Sequence, residues 1–288
     1  MKSQSAMEYL MTYGWAILII AVVLGILFQL GVFSSGNFQP HAQAGSCQVS
    51  RTAVGVSLEG QCNGLLPEYV VYSPGGSSSQ QEITVAPSSS LLSVNTQNTV
   101  TITVWYKLTQ TEPGETFIAT SGDELRLAVQ QGATPYTDMG THNDQSCSNT
   151  EQAGQWYFAA FSKSASSGAD AIIYLNGTAC GTFYNDPAVS VSNVNPLLGI
   201  GYEIAAGDGK RVYGYISNIQ IYNTSLSSSE IQTPYLEGIG GAPIRPQNLV
   251  AWWPLNGNAN DYSGNGNNGQ LEGGVSFSSS WESGYTAP

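Results

Sequence analysis

The sequence predicts a mainly β protein, in which an N-terminal hydrophobic α-helix precedes a two-sheet β-sandwich of the jelly-roll kind. Three observations carry this prediction. From Tyr9 to Phe33 the chain is predominantly apolar, and no Asp, Glu, Lys or Arg occurs between Glu8 and Arg51. Charged residues make up only 10 % of the 288-residue chain, which is rich in Gly, Ser, Thr and Asn, the composition of an all-β extracellular domain with polar loops. From Glu68 onward, short β-branched and aromatic runs recur between Gly, Pro, Ser and Asn turns, with almost no helical pattern.

An apolar run of roughly 20 residues or more is long enough to span a bilayer as a helix. A cleavable secretory signal fits poorly, because the basic region is a single Lys2, the run is too long and no A-x-A site closes it. Glu8 at the lip of the run is costly beside hydrocarbon unless it has a partner, which marks it as functional. Gln4-Ser5-Ala6-Met7-Glu8-Tyr9-Leu10 followed by this helix resembles the class III signal of archaeal type IV pilin-like proteins. That resemblance implies a prepilin peptidase that cuts between Ser3 and Gln4. It leaves Glu8 as the fifth residue of the mature chain, where pilins keep a Glu thought to meet a neighbouring subunit's terminal amine. Gly is commoner than Ser before the cut. Residues 1–3 are then a leader, and 4–33 a helix that sits in the membrane before assembly and packs against copies of itself or other pilins in a filament afterwards.

Residues 34–67 read as a neck and a hairpin bracketed by Cys47 and Cys62, with Ser34 to Gly45 flexible. Four cysteines in an exported chain point to disulfides, for which sequence allows three connectivities; Cys47–Cys62 is favoured because its loop is local. Strands are expected near Tyr69–Tyr72, Glu82–Ala86, Thr99–Lys107, Thr116–Thr120, Leu125–Val129, Trp156–Ser162, Ala171–Leu175, Leu197–Gly201, Val212–Tyr222 and Leu249–Trp253. Asn176-Gly177 is a hairpin signal, since both central positions of a type I′ turn need positive φ. Ser227 through Glu230 has the spacing of a helix capping box ahead of Ile231.

The order of Tyr69–Tyr72, Val100–Lys107, Gln155–Phe161, Ile173–Gly177, Tyr213–Tyr222 and Leu226–Ile231 resembles a laminin-G-like, concanavalin A-like jelly roll. The likeness implies a domain over 68–288 and places Cys147 before one strand and Cys180 after the adjacent hairpin, hence a Cys147–Cys180 bridge. The segment opening at Leu249-Val250-Ala251-Trp252-Trp253 usually begins such a domain; here it closes the chain. About 40 residues are too few for a second core, so a circular permutation is expected, with 249–288 completing the sandwich.

Asp261, Ser263, Asn265 and Asn267, with Glu272 beyond them, place oxygen side chains in nearly the register of a calcium loop. The family implies calcium near this loop, with Asp261 its foremost ligand, although Asn and Gly also make turns on their own account. Trp105, Trp156, Trp252 and Trp253 lie within strands and are expected in the core, whereas Trp281, in a polar segment, is the tryptophan expected to be exposed. Asn176 and Asn223 begin N-glycosylation sequons.

Net charge −12 and the absence of any basic cluster exclude a nucleic-acid partner. No Glu-x-Asp pair occurs, Asp123 and Glu124 are adjacent rather than alternate, and no G-x-S-x-G elbow is present, so an enzyme is not expected. The reading is a pilin-like subunit of an archaeal type IV pilus-type surface filament, with an exposed lectin-like domain for adhesion or for glycan or surface recognition, its ligand residues unassigned. The alternative is a membrane-anchored lectin-like monomer that does not polymerise.

Overall fold

Residues 6–29 carry no proline and no internal charge beyond Glu8, and they wind into one helix, α1 (Ala6–Gln29). The computed structural model describes residues 6–29, 40–63, 65–75, 81–97, 99–110, 115–120, 126–130, 134–138, 145–147, 151–164, 171–183, 198–200 and 212–288. Two units result, Met1–Pro40 and His41–Pro288. In the first, large apolar side chains of α1 are exposed, among them Trp15 at 67 % and Phe28 at 74 %. Among the described residues no helix is long and apolar enough to cross a membrane. Ser3 and Gln4 lie outside the described residues, as does the side chain of Glu8.

The second unit is built of strands. In chain order these are β1 (His41–Ala42), β2 (Cys47–Thr52), β3 (Gly55–Gly60), β4 (Leu66–Pro67), β5 (Val70–Ser73) and β6 (Ile83–Val85). After helix α2 (Ser89–Gln97) come β7 (Val100–Leu108), β8 (Glu115–Thr120), β9 (Arg126–Gln130), β10 (Thr134–Asp138) and β11 (Gln145–Ser146). Then follow β12 (Trp156–Lys163), β13 (Ala171–Leu175), β14 (Thr178–Phe183), β15 (Leu198–Ile200) and β16 (Gly214–Tyr222). Helix α3 (Ser228–Leu236) leads to β17 (Leu249–Trp253), β18 (Gly269–Leu271) and β19 (Ser276–Ser278).

One sheet has seven strands in the order β11-β10-β9-β8-β15-β6-β18, and the other has eight, β14-β13-β12-β7-β16-β5-β19 with β17 also on β16. Residues 214–216 of β16 pair with β5 and residues 219–222 with β17, so one edge of β16 is shared end to end. The segment after Asn248 therefore gives β18 to one sheet and β17 and β19 to the other. The apolar side chains of both inner faces, such as Val85, Ile102, Val104, Phe117, Leu127, Phe161 and Ile173, interleave as one core.

Strand periodicity puts Trp105 and Lys107 on the face of β7 opposite Val104 and Tyr106. That outer face is not left to water. Trp105, Trp156, Phe158, Tyr174 and Tyr222 are buried there beneath Ile231 of α3, Val49, Leu66 and Trp281. Trp281, expected to be exposed, is fully buried, because it docks edge-on to Trp156 at 5.9 Å and donates its indole N–H to Pro67 O at 3.1 Å. The expectation of a flexible stretch to Gly45 is also corrected, since His41 and Ala42 pair in parallel with Leu66 and Pro67.

The turns and caps follow local chemistry. Asn176 and Gly177 both take positive φ, 48° and 72°, and turn β13 into β14. Ser227 N donates to Glu230 Oε2 at 2.9 Å, the capping-box contact that starts α3. Helix α2 was not anticipated; its Ser-rich sequence reads as loop, but Ser88 Oγ caps Leu91 N at 3.1 Å while Leu91 and Val94 are buried. Cys47–Cys62 and Cys147–Cys180 are bonded as the sequence and the family likeness imply. Asp123 and Glu124 lie outside the described residues.

Glu82, just before β6, is 2 % exposed, and its Oε2 has no partner among the described residues. Burial, with the nearby Glu272 charge adding to it, pushes its carboxyl up to about 6. A folded-state value above the unfolded one means that ionisation opposes folding, so this group weakens the fold above pH ~6 and ceases to do so as pH falls toward its ordinary range near 4.3. Glu82→Gln is expected to raise stability at pH 7 by ~1–2 kcal/mol and to flatten the stability profile between about pH 4.5 and 6, as read by urea unfolding at a series of pH values.

Candidate functional site

The Asp261 loop folds back on the strand before it. Asp261 Oδ1 accepts from Trp252 N at 2.9 Å and Ser263 N at 2.8 Å, and Oδ2 accepts from Ser263 Oγ and Asn267 N, both at 2.8 Å. Asn265 Nδ2 donates to the carbonyls of Leu249 and Val250, and Asn267 Nδ2 to that of Val250. Asn267 Oδ1 accepts from Ser88 Oγ at 2.5 Å and Ser90 Oγ at 3.1 Å, tying the loop to the start of α2. Arg51 reaches the same region and donates to Ser263 O and Leu249 O; burial lowers its pKa, opposed by the charge of Asp261. Glu272 is exposed beyond β18. The structure thus brings Asp261, Ser263, Asn265 and Asn267 together and points N–H and O–H donors at the Asp261 carboxylate. Among the described residues no group of three or more His, Cys, Asp or Glu side chains is placed to hold a metal ion.

A second constellation lies on the outer face of the larger sheet, where a cleft of about 220 Å³ is lined by Trp105, Trp156, Tyr235, Gln155, Asn176 and residues 284 and 286–288. Trp105 and Tyr235 stack with centroids 6.0 Å apart and planes inclined by 16°. Tyr285 meets Trp105 edge-on at 5.9 Å, and its hydroxyl accepts from Ile239 N at 3.1 Å. Gly284 has φ 78°, and a Cβ there would fall 1.8 Å from Gly154 O, so only glycine lets this wall approach β12.

The wall is held by Lys107, 4 % exposed, whose Nζ donates to Trp281 O at 2.8 Å and Ser283 O at 2.7 Å. The same ammonium lies 4.4 Å from the Tyr215 ring centroid and 5.4 Å from that of Trp156. Desolvation by burial lowers its pKa. The side chains that line the cleft are aromatic, aliphatic or neutral polar ones.

Two further sequence-derived candidates fall near this face. Asn176, at the hairpin tip, lines the cleft, and its Oδ1 accepts from Phe158 N at 3.0 Å. Asn223 is half-buried; its Nδ2 donates to Ser93 Oγ at 3.2 Å. Gln155 and Tyr235 gave no sequence signal as site residues. Period-2 alternation along β7 was the available clue for Trp105, for it sets Trp105 and Lys107 on the face away from the core.

A profile of the concanavalin A-like lectin/glucanases superfamily, of the laminin-G type, matches residues 76–232. The chain belongs to this superfamily. A Bacteroides ovatus protein provisionally described as carbohydrate-binding shares its fold with a TM-score of 0.58 at 13 % identity, over 80 % of this chain and 64 % of that one. The chain thus spans less than two thirds of that protein's length. A heptameric SAP-like pentraxin from Limulus polyphemus matches at 16 % identity and a TM-score of 0.45, over 73 % of this chain and 94 % of that one. The CBM40 of the Ruminococcus gnavus IT-sialidase, solved with α2,3-sialyllactose, matches at 13 % identity and a TM-score of 0.43, over 57 % and 96 %. No curated protein matches in sequence.

Because its oxygens already accept four of the chain's own donors, Asp261 acts on the turn. Asp261→Ala leaves three buried or half-buried N–H groups and one hydroxyl without their acceptor, and a loss of about 2–4 kcal/mol is expected by chemical denaturation. The wild-type melting temperature is expected to be the same in millimolar calcium and in chelator; a calcium-dependent rise would show instead that a cation displaces those donors.

Proposed function

We propose that this chain is a surface-displayed saccharide-binding protein of the type IV pilin kind, in which α1 packs among copies of itself or other pilins and the jelly roll stands outside. The observation that carries the binding half is the cleft without charged side chains, where indole and phenol rings meet free amide groups, the chemistry that suits the C–H faces and hydroxyls of a sugar ring. The filament half is supported by the Gln4-to-Leu10 motif and by the exposed apolar side chains of α1, which call for an apolar cover. Two disulfides fit an oxidising, extracellular setting. The place of β17, β18 and β19 within both sheets supports the reading of a circularly permuted jelly roll.

The test is mass spectrometry of the N-terminal peptide of protein shed from cells, together with sedimentation of the shed fraction. Processing to Gln4 and recovery in filaments are expected, and Glu8→Ala is expected to leave processing intact while abolishing incorporation. An intact Met1 in monomeric, membrane-bound protein would instead establish an anchored lectin-like monomer. Binding to an array of glycans tests the other half separately.

A further inference from the structure

We infer that the cleft beside Trp156 and Tyr235 receives a single uncharged pyranose ring, with Asn176 Nδ2 as its polar anchor. This rests on the saccharide-binding reading above and narrows it. Four polar side-chain groups line the cleft without a hydrogen-bond partner among the described residues: the exposed Gln155 amide and Thr286 hydroxyl, Asn176 Nδ2 and the Tyr235 hydroxyl. All four are neutral, and no Asp, Glu, Lys, Arg or His side chain lines the cleft. A carboxylated or sulfated sugar would lose hydration there without gaining a counter-charge, and it would approach a chain of net charge −12. The volume, about 220 Å³, falls below the ~300–1,000 Å³ of clefts that hold drug-sized ligands, so one ring rather than an extended oligomer fills it.

Asn176 adds a second source for the same chemistry. Its Oδ1 is committed to Phe158 N, which leaves Nδ2 as the free end of the amide, and Thr178 of the sequon is exposed. The ring is then either that of a free glycan or the first sugar of a glycan carried by Asn176 itself. In the second case an external transferase joins Nδ2 to the anomeric carbon of a glycosyl pyrophosphate donor. A C–N bond forms, the C–O bond to the carrier breaks with its electron pair leaving on the pyrophosphate, and the amide gives up one proton. Asn223 is placed differently. Its Nδ2 is engaged with Ser93 and its Oδ1 accepts from Asn248 Nδ2, so a glycan there would break contacts that join three segments.

The experiment combines peptide mass spectrometry of the native protein with calorimetric titration of N-acetylglucosamine, methyl galactoside, glucuronic acid and N-acetylneuraminic acid. If the ligand is free, an uncharged sugar binds, and Gln155→Ala and Tyr235→Phe each weaken it about three- to ten-fold, the loss of one neutral hydrogen bond. If the source is the chain's own glycan, Asn176 but not Asn223 carries a hexose or hexosamine mass, and free uncharged sugars bind only once Thr178→Val removes the sequon. Binding of charged sugars alone would overturn the inference and leave the saccharide reading standing. So would binding of uncharged sugars that neither Gln155→Ala nor Tyr235→Phe changes. No sugar bound and no modification found would overturn both.

Discussion

Lys107 sits in the middle of the larger sheet on the face that strand alternation turns away from the core, and its register partners on either side are Trp156 of β12 and Tyr215 of β16. The two rings against its ammonium are therefore the side chains directly across from it. A buried ammonium is costly to desolvate, and the pKa of Lys107 is lowered accordingly. Two main-chain carbonyls, from Trp281 and Ser283, and two ring faces offset that cost. This arrangement joins the segment after β19 to the outer face.

Much of the outer layer depends on that joint. With Trp281 in place, Trp156 finds an acceptor for its indole N–H, Pro67 O gains a donor, and Trp105 is covered by Tyr285 as well as by Tyr235. The same segment follows directly on β18 and β19, which extend opposite sheets, so its docking continues the closure of the sandwich. The residue of this sealing is the cleft: a gap between α3, the hairpin tip at Asn176 and residues 284–288, walled by rings and left with neutral polar groups.

Much of this was legible in the sequence because it follows from local rules. Alternation over Val100–Lys107, the Asn176-Gly177 turn and the Ser227–Glu230 capping box each specify a short-range geometry that the fold retains. Cys147–Cys180 needed the family likeness, since its partners are 33 residues apart. What stayed hidden depends on contacts distant along the chain. Trp281 looked exposed because its neighbours are polar, and its burial is explained by contacts with Trp156, Lys107 and Pro67, which lie 125, 174 and 214 residues away. Helix α2 has too few apolar positions for a periodic signal and forms on one serine cap and packing of Leu91 and Val94. The cleft draws its lining from β7, β12, a hairpin tip, α3 and the last residues, a set that no single motif could announce.

The claim that Lys107 fastens the outer layer is open to direct measurement by hydrogen exchange with mass spectrometry, comparing the wild-type protein with Lys107→Met, which keeps the apolar stem and removes the ammonium. The account predicts at least tenfold faster exchange in peptides covering residues 281–288, with exchange in β12 and β17 little changed. Equal protection of residues 281–288 in the two proteins would contradict it and would place the hold on that segment in its aromatic contacts alone.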